Sequence, residues 1–334
     1  MKRPSFRTFL QNFYSFFVYD SHRYDLQNRD QIAHLQKINK LFQVKMEMIR
    51  WLFNEKSGYC AANDDCVRGV EGSNCIDNQV FEFFFNFNYD SLVFFPYKQL
   101  NSAGELQAKM DRRLKLPYVV HRGKRLYYPA DYSLEACIWA YRFLIEQDQI
   151  LKGGCLEKAP HCYQSEQFKV ENGDVLLDGG AAEGLFALDL IDTVSYAYIV
   201  EADAKWLPAL KATFAPYSDK VKIVNKFLSD VVDESNTTIA ELLSERKGSC
   251  FVKMDIEGAE PKVIKGSLEF LRSRNDIKLS CCSYHYNDDA IELATLFDEI
   301  GYQHEFSEGW FFFACYDMPK PPYFRHALIR AFKS

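Results

Sequence analysis

The segment Asp178-Gly-Gly-Ala-Ala-Glu-Gly184 follows directly on the apolar run Val175-Leu-Leu177. A strand that ends in an acid and turns through glycines into a helix is a phosphate- or nucleotide-binding turn of an α/β sheet. The spacing narrows the choice. Gly180 and Gly184 stand in an Asp-x-Gly-x-x-x-Gly pattern, on which the dinucleotide fingerprint Gly-x-Gly-x-x-Gly cannot be laid. The expected ligand is therefore S-adenosylmethionine, which has an adenosine but no pyrophosphate. Gly180, having no Cβ, permits close backbone approach to a small zwitterion.

From Asp174 onward, strand and helix patterns alternate. Strands are expected at 175–178, 196–201, 221–225, 251–255, 277–282, 302–306 and 310–315, and helices at 183–191, 204–214, 237–243, 261–271 and 288–300. Such alternation predicts an α/β fold with a doubly wound, mostly parallel, seven-stranded sheet, Rossmann-like, in the layout of a class I methyltransferase. Only Ser307-Glu-Gly309 separates the last two expected strands, so they are expected to form an antiparallel hairpin at the sheet edge. Before the sheet, 118–128 reads as a hairpin about Arg122-Gly-Lys124. Asp131 or Ser133 is then expected to cap a helix running to about Gln149. The sheet domain is taken as 116–334. Residues 1–115 are read as a mainly helical accessory domain, from the spacing of Ile32, Leu35, Ile38, Leu41, Phe42, Met46 and Ile49, with a long loop over 58–78.

Composition excludes several classes. With 48% apolar residues in 334, the chain can bury a full core. Its net charge of −6 argues against nucleic acid as a general partner. No uninterrupted apolar run of about 18 residues occurs, so no membrane span is expected. The ten cysteines are scattered, and the start carries no secretory pattern, so a cytoplasmic protein with reduced thiols is expected. Cys60, Cys66 and Cys75 lack the close ligand pairs of a zinc ribbon. Arg325, Arg330 and Lys333 read as a basic, solvated terminus.

In a sheet of this kind ligands bind at the carboxyl ends of the strands. The first expected strand ends at Asp178 and the turn that holds Gly180, Glu183 and Gly184. The second ends at Glu201, placed to accept both ribose hydroxyls, and Asp230 follows the third, placed for the adenine amino group. The fourth ends in Lys253-Met-Asp-Ile-Glu-Gly-Ala-Glu260. There Asp255 and Glu257 are candidates for holding a divalent metal or a substrate hydroxyl, while Glu257 and Glu260 also suit a helix N-terminus. The fifth leads to Ser283-Tyr-His-Tyr-Asn-Asp-Asp289. His285 is expected to face Asp255 as a general base or ligand, with Asp288 as its partner or as a helix cap.

These motifs together resemble the FkbM-type methyltransferase family. They are Gly173-Asp-Val-Leu-Leu-Asp-Gly-Gly-Ala-Ala-Glu-Gly184, Val200-Glu-Ala-Asp203, Phe251-Val-Lys-Met-Asp-Ile-Glu-Gly-Ala-Glu260 with Gly266, and Tyr284-His285 with Asp288. Ala202-Asp203 stands where the family often has Pro-Asp. The resemblance covers about 118–334. It implies methyl transfer from S-adenosylmethionine to an oxygen of a sugar, a glycan or a natural product, with Asp178, Gly180, Gly184 and Glu201 at the cofactor. Deprotonation of the acceptor hydroxyl is expected either from His285 as base or from a metal at Asp255. The acceptor is read as a small molecule or glycan, and the oligomeric state is left open. Two alternatives stand beside this reading. One is a methyltransferase-like binding protein without turnover. The other is a nicotinamide-dependent oxidoreductase, which the glycine spacing disfavours.

Overall fold

Two strands, Val175–Gly179 (β1) and Cys250–Met254 (β4), bury every one of their residues. Strands covered on both faces read as continuous apolar runs, and this is what parallel sheets with helices on each side require. They form the centre of the computed structural model of the chain, which describes residues 106–147, 159–313 and 324–333 and the positions 43, 93, 94, 151 and 315. The chain divides into two compact units, residues 1–63 with 88–92 and residues 64–87 with 93–334. The sheet belongs to the second.

Around the central pair lie Tyr196–Val200 (β2), Val221–Val224 (β3), Ile277–Cys282 (β5), Gln303–Phe306 (β6) and Leu328–Phe332 (β7). The order across the sheet is β6-β7-β5-β4-β1-β2-β3. β3, β2, β1, β4 and β5 are parallel, and β7 runs antiparallel to both β5 and β6. This is the class I methyltransferase fold. Helices Leu185–Leu190, Leu207–Phe214, Ile239–Leu243, Glu260–Gly266, Leu268–Ser273 and Asp289–Glu299 follow the strands. The largest core joins Leu177, Val252, Met254 and Leu279 of the sheet to Val263, Ile264, Leu271, Leu293 and Phe297 of the helices.

The expected hairpin is present, with Leu116–His121 paired to Lys124–Tyr127. Ser133 caps the following helix, Leu134–Arg142, its hydroxyl accepting from Ala136 N at 3.1 Å. The helix then passes into a wider turn, Phe143–Gln147. Ala108–Asp111, inside the stretch read as mainly helical, is a strand paired to Leu116–His121. The helical pattern of Ile32–Ile49, the 58–78 loop with Cys60, Cys66 and Cys75, and the end of the helix at Gln149 lie outside the described residues. The helix expected over 261–271 is two helices that meet at Gly266. A Cβ there would stand 2.3 Å from Asp230 Cα, so the chain turns where another segment crosses it closely.

The seventh strand corrects the expectation. It is not 310–315. Phe312–Phe313 pairs antiparallel with Val93–Phe94, outside the main sheet, and the strand between β5 and β6 is Leu328–Phe332. The supposed basic terminus is therefore a buried strand and its approach. Arg330 is 7% exposed, donates from Nη2 to Cys162 O at 2.7 Å, and pairs with Glu305 across the strands. An arginine bonded in this way can occupy a strand that its charge argues against. Among the described residues no helix is long and apolar enough to cross a membrane. Cys137, Cys250, Cys281 and Cys282 are buried thiols, not disulfides.

Candidate active site

The glycine turn leaves β1 at the carboxyl edge of the sheet. Gly180 and Gly184 have φ of +67° and +80°, a left-handed conformation that favours glycine. Glu201, just past β2, braces the turn. Its Oε2 accepts from Ala182 N at 2.8 Å and its Oε1 from Asp203 N at 2.8 Å. Each carboxylate oxygen keeps a second lone pair for a ligand. Asp178 is 1% exposed, and its Oδ1 lies 3.0 Å from Lys253 Nζ. The lysine also donates to Gly180 O at 2.8 Å. Burial disfavours the charge on Lys253, but Asp178 and Asp255 outweigh it and hold its pKa above the ordinary value. Glu183 is buried as well. Burial pushes its carboxyl up to about 7, with Lys253 opposing and Asp178 reinforcing. Asp230 is paired with Lys262 at 3.2 Å and accepts from Ser229 Oγ at 3.1 Å.

The turn and the fourth strand end are in direct contact. Asp255 N donates to Gly179 O at 3.1 Å, and a Cβ on Gly180 would stand 1.8 Å from Asp255 O. The Asp255 side chain is 25% exposed and is ringed by polar groups. Tyr163 Oη donates to its Oδ2 at 2.9 Å, His161 Nε2 lies 3.9 Å from Oδ2, and His285 Nε2 lies 3.6 Å from Oδ1. Burial alone would raise the Asp255 pKa. Lys253, His161 and His285 prevail and bring it down to about 2. Burial lowers the pKa of both imidazoles, that of His161 to about 4. At neutral pH the cluster is thus a carboxylate between two uncharged rings.

His285 has a carboxylate near each nitrogen. Glu257 Oε2 is 3.6 Å from Nε2, and Glu260 Oε1 is 3.6 Å from Nδ1. Its side chain is 1% exposed and that of Glu257 73%. Glu257 has φ of +61°, a strained conformation for a residue with a side chain. Gly258 beside it has no room for a Cβ, which would meet the Tyr286 ring at 2.4 Å. The fourth and fifth strand ends are therefore packed tightly together. Asp288 stands at the N-terminal cap of helix Asp289–Glu299. Asp255, Glu257 and Glu260 each bring a carboxylate to 3.6 Å from the imidazole.

Several groups at this site carried no signal in the sequence. His161 and Tyr163 come from a loop before β1, without periodicity or motif. Lys253 stands in the fourth-strand motif, where the pattern alone assigns it no role. Arg325 reads as tail, yet its Nη1 donates to the carbonyls of Tyr284 and His285 at 2.5 and 2.9 Å and so fastens the fifth strand end. Phe311 and Phe313, from the segment expected to be the last strand, instead lie on the cluster, with ring centroids 6.1 Å from His161 and 5.6 Å from His285.

No family profile matches the chain. No curated protein matches it either. Solved structures do. A methyltransferase FkbM from Methylobacillus flagellatus matches at 18% identity and a TM-score of 0.39, over 50% of this chain and 46% of that one. A precorrin-6y C5,15-methyltransferase from Geobacter metallireducens matches at 14% identity and a TM-score of 0.34, over 50% of this chain and 83% of that one. The chain thus spans less than half the length of the first.

Proposed function

We propose that the chain is an S-adenosylmethionine-dependent O-methyltransferase of the FkbM type, acting on a hydroxyl of a sugar, a glycan or a natural product. The observation that carries this reading is the contact of Gly180 with Asp255. It makes the glycine turn and the polar cluster one continuous surface at the carboxyl ends of β1 and β4.

The residues at the turn fit such a cofactor. Asp178, Glu183 and Glu201 bring three acids together, and Lys253 is already engaged by Asp178 and by backbone carbonyls. Asp178 Oδ2 is buried and has no hydrogen-bond partner among the described residues. The carboxylate of Glu201 suits a ligand carrying an ammonium and a sulfonium and would repel a pyrophosphate, which disfavours a nicotinamide dinucleotide; Asp178 is balanced by Lys253, and burial raises the Glu183 carboxyl to about 7. Bound there, S-adenosylmethionine supplies an electrophilic methyl group. The protein's own part is to position the acceptor and ease the loss of its proton. Asp255, the accessible member of the cluster, is placed to meet the acceptor hydroxyl. Tyr163, donating to Oδ2 at 2.9 Å, orients its carboxylate, and His161 and His285 flank it.

Calorimetry with S-adenosylmethionine, S-adenosylhomocysteine and NADH tests the cofactor. Binding of the first two and not the third is expected, and the reverse order overturns the reading. Transfer of a labelled methyl group to a panel of saccharide and polyol acceptors tests the chemistry. Tight cofactor binding with no transfer to any hydroxyl acceptor would favour a binding protein.

A further inference from the structure

We propose that Asp255, Glu260 and His285 form a site for one divalent transition-metal ion between the carboxyl ends of β4 and β5. Each of the three offers a ligand atom, and these atoms all lie within 4.8 Å of one another. Asp255 Oδ1 lies 3.6 Å from Nε2 of the imidazole and Glu260 Oε1 lies 3.6 Å from Nδ1, both too long for hydrogen bonds, and the ring gives one ion only one of these nitrogens. Donors around one ion at about 2.1 Å stand no more than about 4.2 Å apart, so the cluster closes on an ion through small side-chain rotations. Glu260 gives the independent observation. It is 0% exposed, and its Oε1 accepts from Ile256 N at 2.9 Å. Its Oε2 has no hydrogen-bond partner, and no lysine or arginine pairs with it among the described residues. A carboxylate buried without a cation is costly, and an ion beside it removes that cost. Glu257, exposed and 3.6 Å from Nε2, lies at the mouth as a further oxygen donor.

Asp255 also belongs to a second group, with His161 and Cys282. That side is already satisfied, since Tyr163 holds Oδ2 at 2.9 Å and His161 Nε2 and Cys282 Sγ lie 3.4 Å apart. On the other side Asp255 Oδ1 accepts from Tyr284 Oη at a long 3.5 Å and lies 3.6 Å from His285 Nε2. Two carboxylates and one imidazole suit Mn²⁺ or Zn²⁺ better than a soft thiophilic ion. A solvent-shielded imidazole is well suited to ligate an ion at this place, while Asp255 gives the ion an opening to the crevice. An ion so held would polarise an acceptor hydroxyl next to the glycine turn. This use of the site rests on the methyl-transfer reading, but the site itself does not.

The test uses the full chain, stripped with chelator and titrated with Mn²⁺ under electron paramagnetic resonance. One ion per chain is expected. Asp255→Asn and Glu260→Gln, both isosteric, are each expected to weaken binding about 10- to 100-fold, and the surface variant Glu299→Gln to leave it unchanged. With Co²⁺, no sulfur-to-metal charge-transfer band is expected. Failure to bind one Mn²⁺ per chain below about 1 mM, equal affinity in folded Asp255→Asn, or a thiolate band each overturns the site. Cofactor calorimetry on the same samples separates the two proposals. Mn²⁺ binding without S-adenosylmethionine binding upholds the ion site and removes the methyl-donor reading, and the opposite result removes the ion alone.

Discussion

The carbonyl oxygen of Asp255 occupies the space that a side chain on Gly180 would need, 1.8 Å from the Cβ position. The two residues are 75 positions apart in the chain. Register brings them together, because β1 and β4 pair in parallel with Gly179 opposite Met254. Gly180 is thus required first by the neighbouring backbone. The approach of a ligand, for which the sequence suggested it, is a second demand on the same position.

Gly180→Ala is therefore expected to disturb the fold and the site together. The left-handed φ and the clash with a backbone atom place the cost at about 1–3 kcal/mol. Urea unfolding and cofactor calorimetry should both report a loss. A variant with unchanged midpoint and unchanged affinity would show that the two strand ends are not packed in this way.

Glu201→Ala is expected to weaken cofactor binding while leaving unfolding little changed. A charge-assisted contact to the ribose is worth roughly 1.5–3 kcal/mol, so a loss of about tenfold to a hundredfold in affinity is expected. Part of the loss comes from the turn, which gives up the bond from Ala182 N. Equal affinity in variant and parent would take Glu201 out of the site.

His285→Ala is expected to keep cofactor affinity, because the carboxylates beside the imidazole, Asp255, Glu257 and Glu260, belong to the fourth strand end and the helix after it. Methyl transfer should fall by about tenfold to a hundredfold, as expected for a group that flanks Asp255 and holds the proposed ion. Single-turnover rates measured at saturating cofactor decide it. A rate within a factor of a few of the parent would make His285 a packing residue only.

His326 carries a pH prediction away from the site. It is stacked between Phe306 and Trp310, and burial lowers its pKa to about 4. The unfolded chain takes up this proton near 6.5, and the folded chain does so only near 4. The stability owed to the neutral ring is fully present above pH 6.5 and is lost as pH falls from 6.5 to 4, a change on the order of 3 kcal/mol. His161 shifts in the same direction and adds to the slope. His326→Phe should flatten the acid limb of a stability–pH profile without removing it. An unchanged limb would show that the ring is not shielded from protons in the folded state.

Local pattern by itself determined much of this protein. The apolar runs that become β1 to β5, the helices between them and the turn of Asp178–Gly184 are short-range features, and a parallel α/β sheet follows from their alternation. The positions of Asp255 and His285 at adjoining strand ends follow from the same alternation. What the tertiary structure decided was non-local. Leu328–Phe332 carries an arginine that looks solvated until Cys162 O and Glu305 are found beside it, whereas Phe312–Phe313, the better strand by composition, pairs with Val93–Phe94 outside the main sheet. His161, Tyr163 and Arg325 reach the cluster from loops whose sequences obey no period, so only the folded chain puts them there. Burial, which no single residue announces, makes the imidazoles neutral and leaves Glu260 without a partner for one of its oxygens.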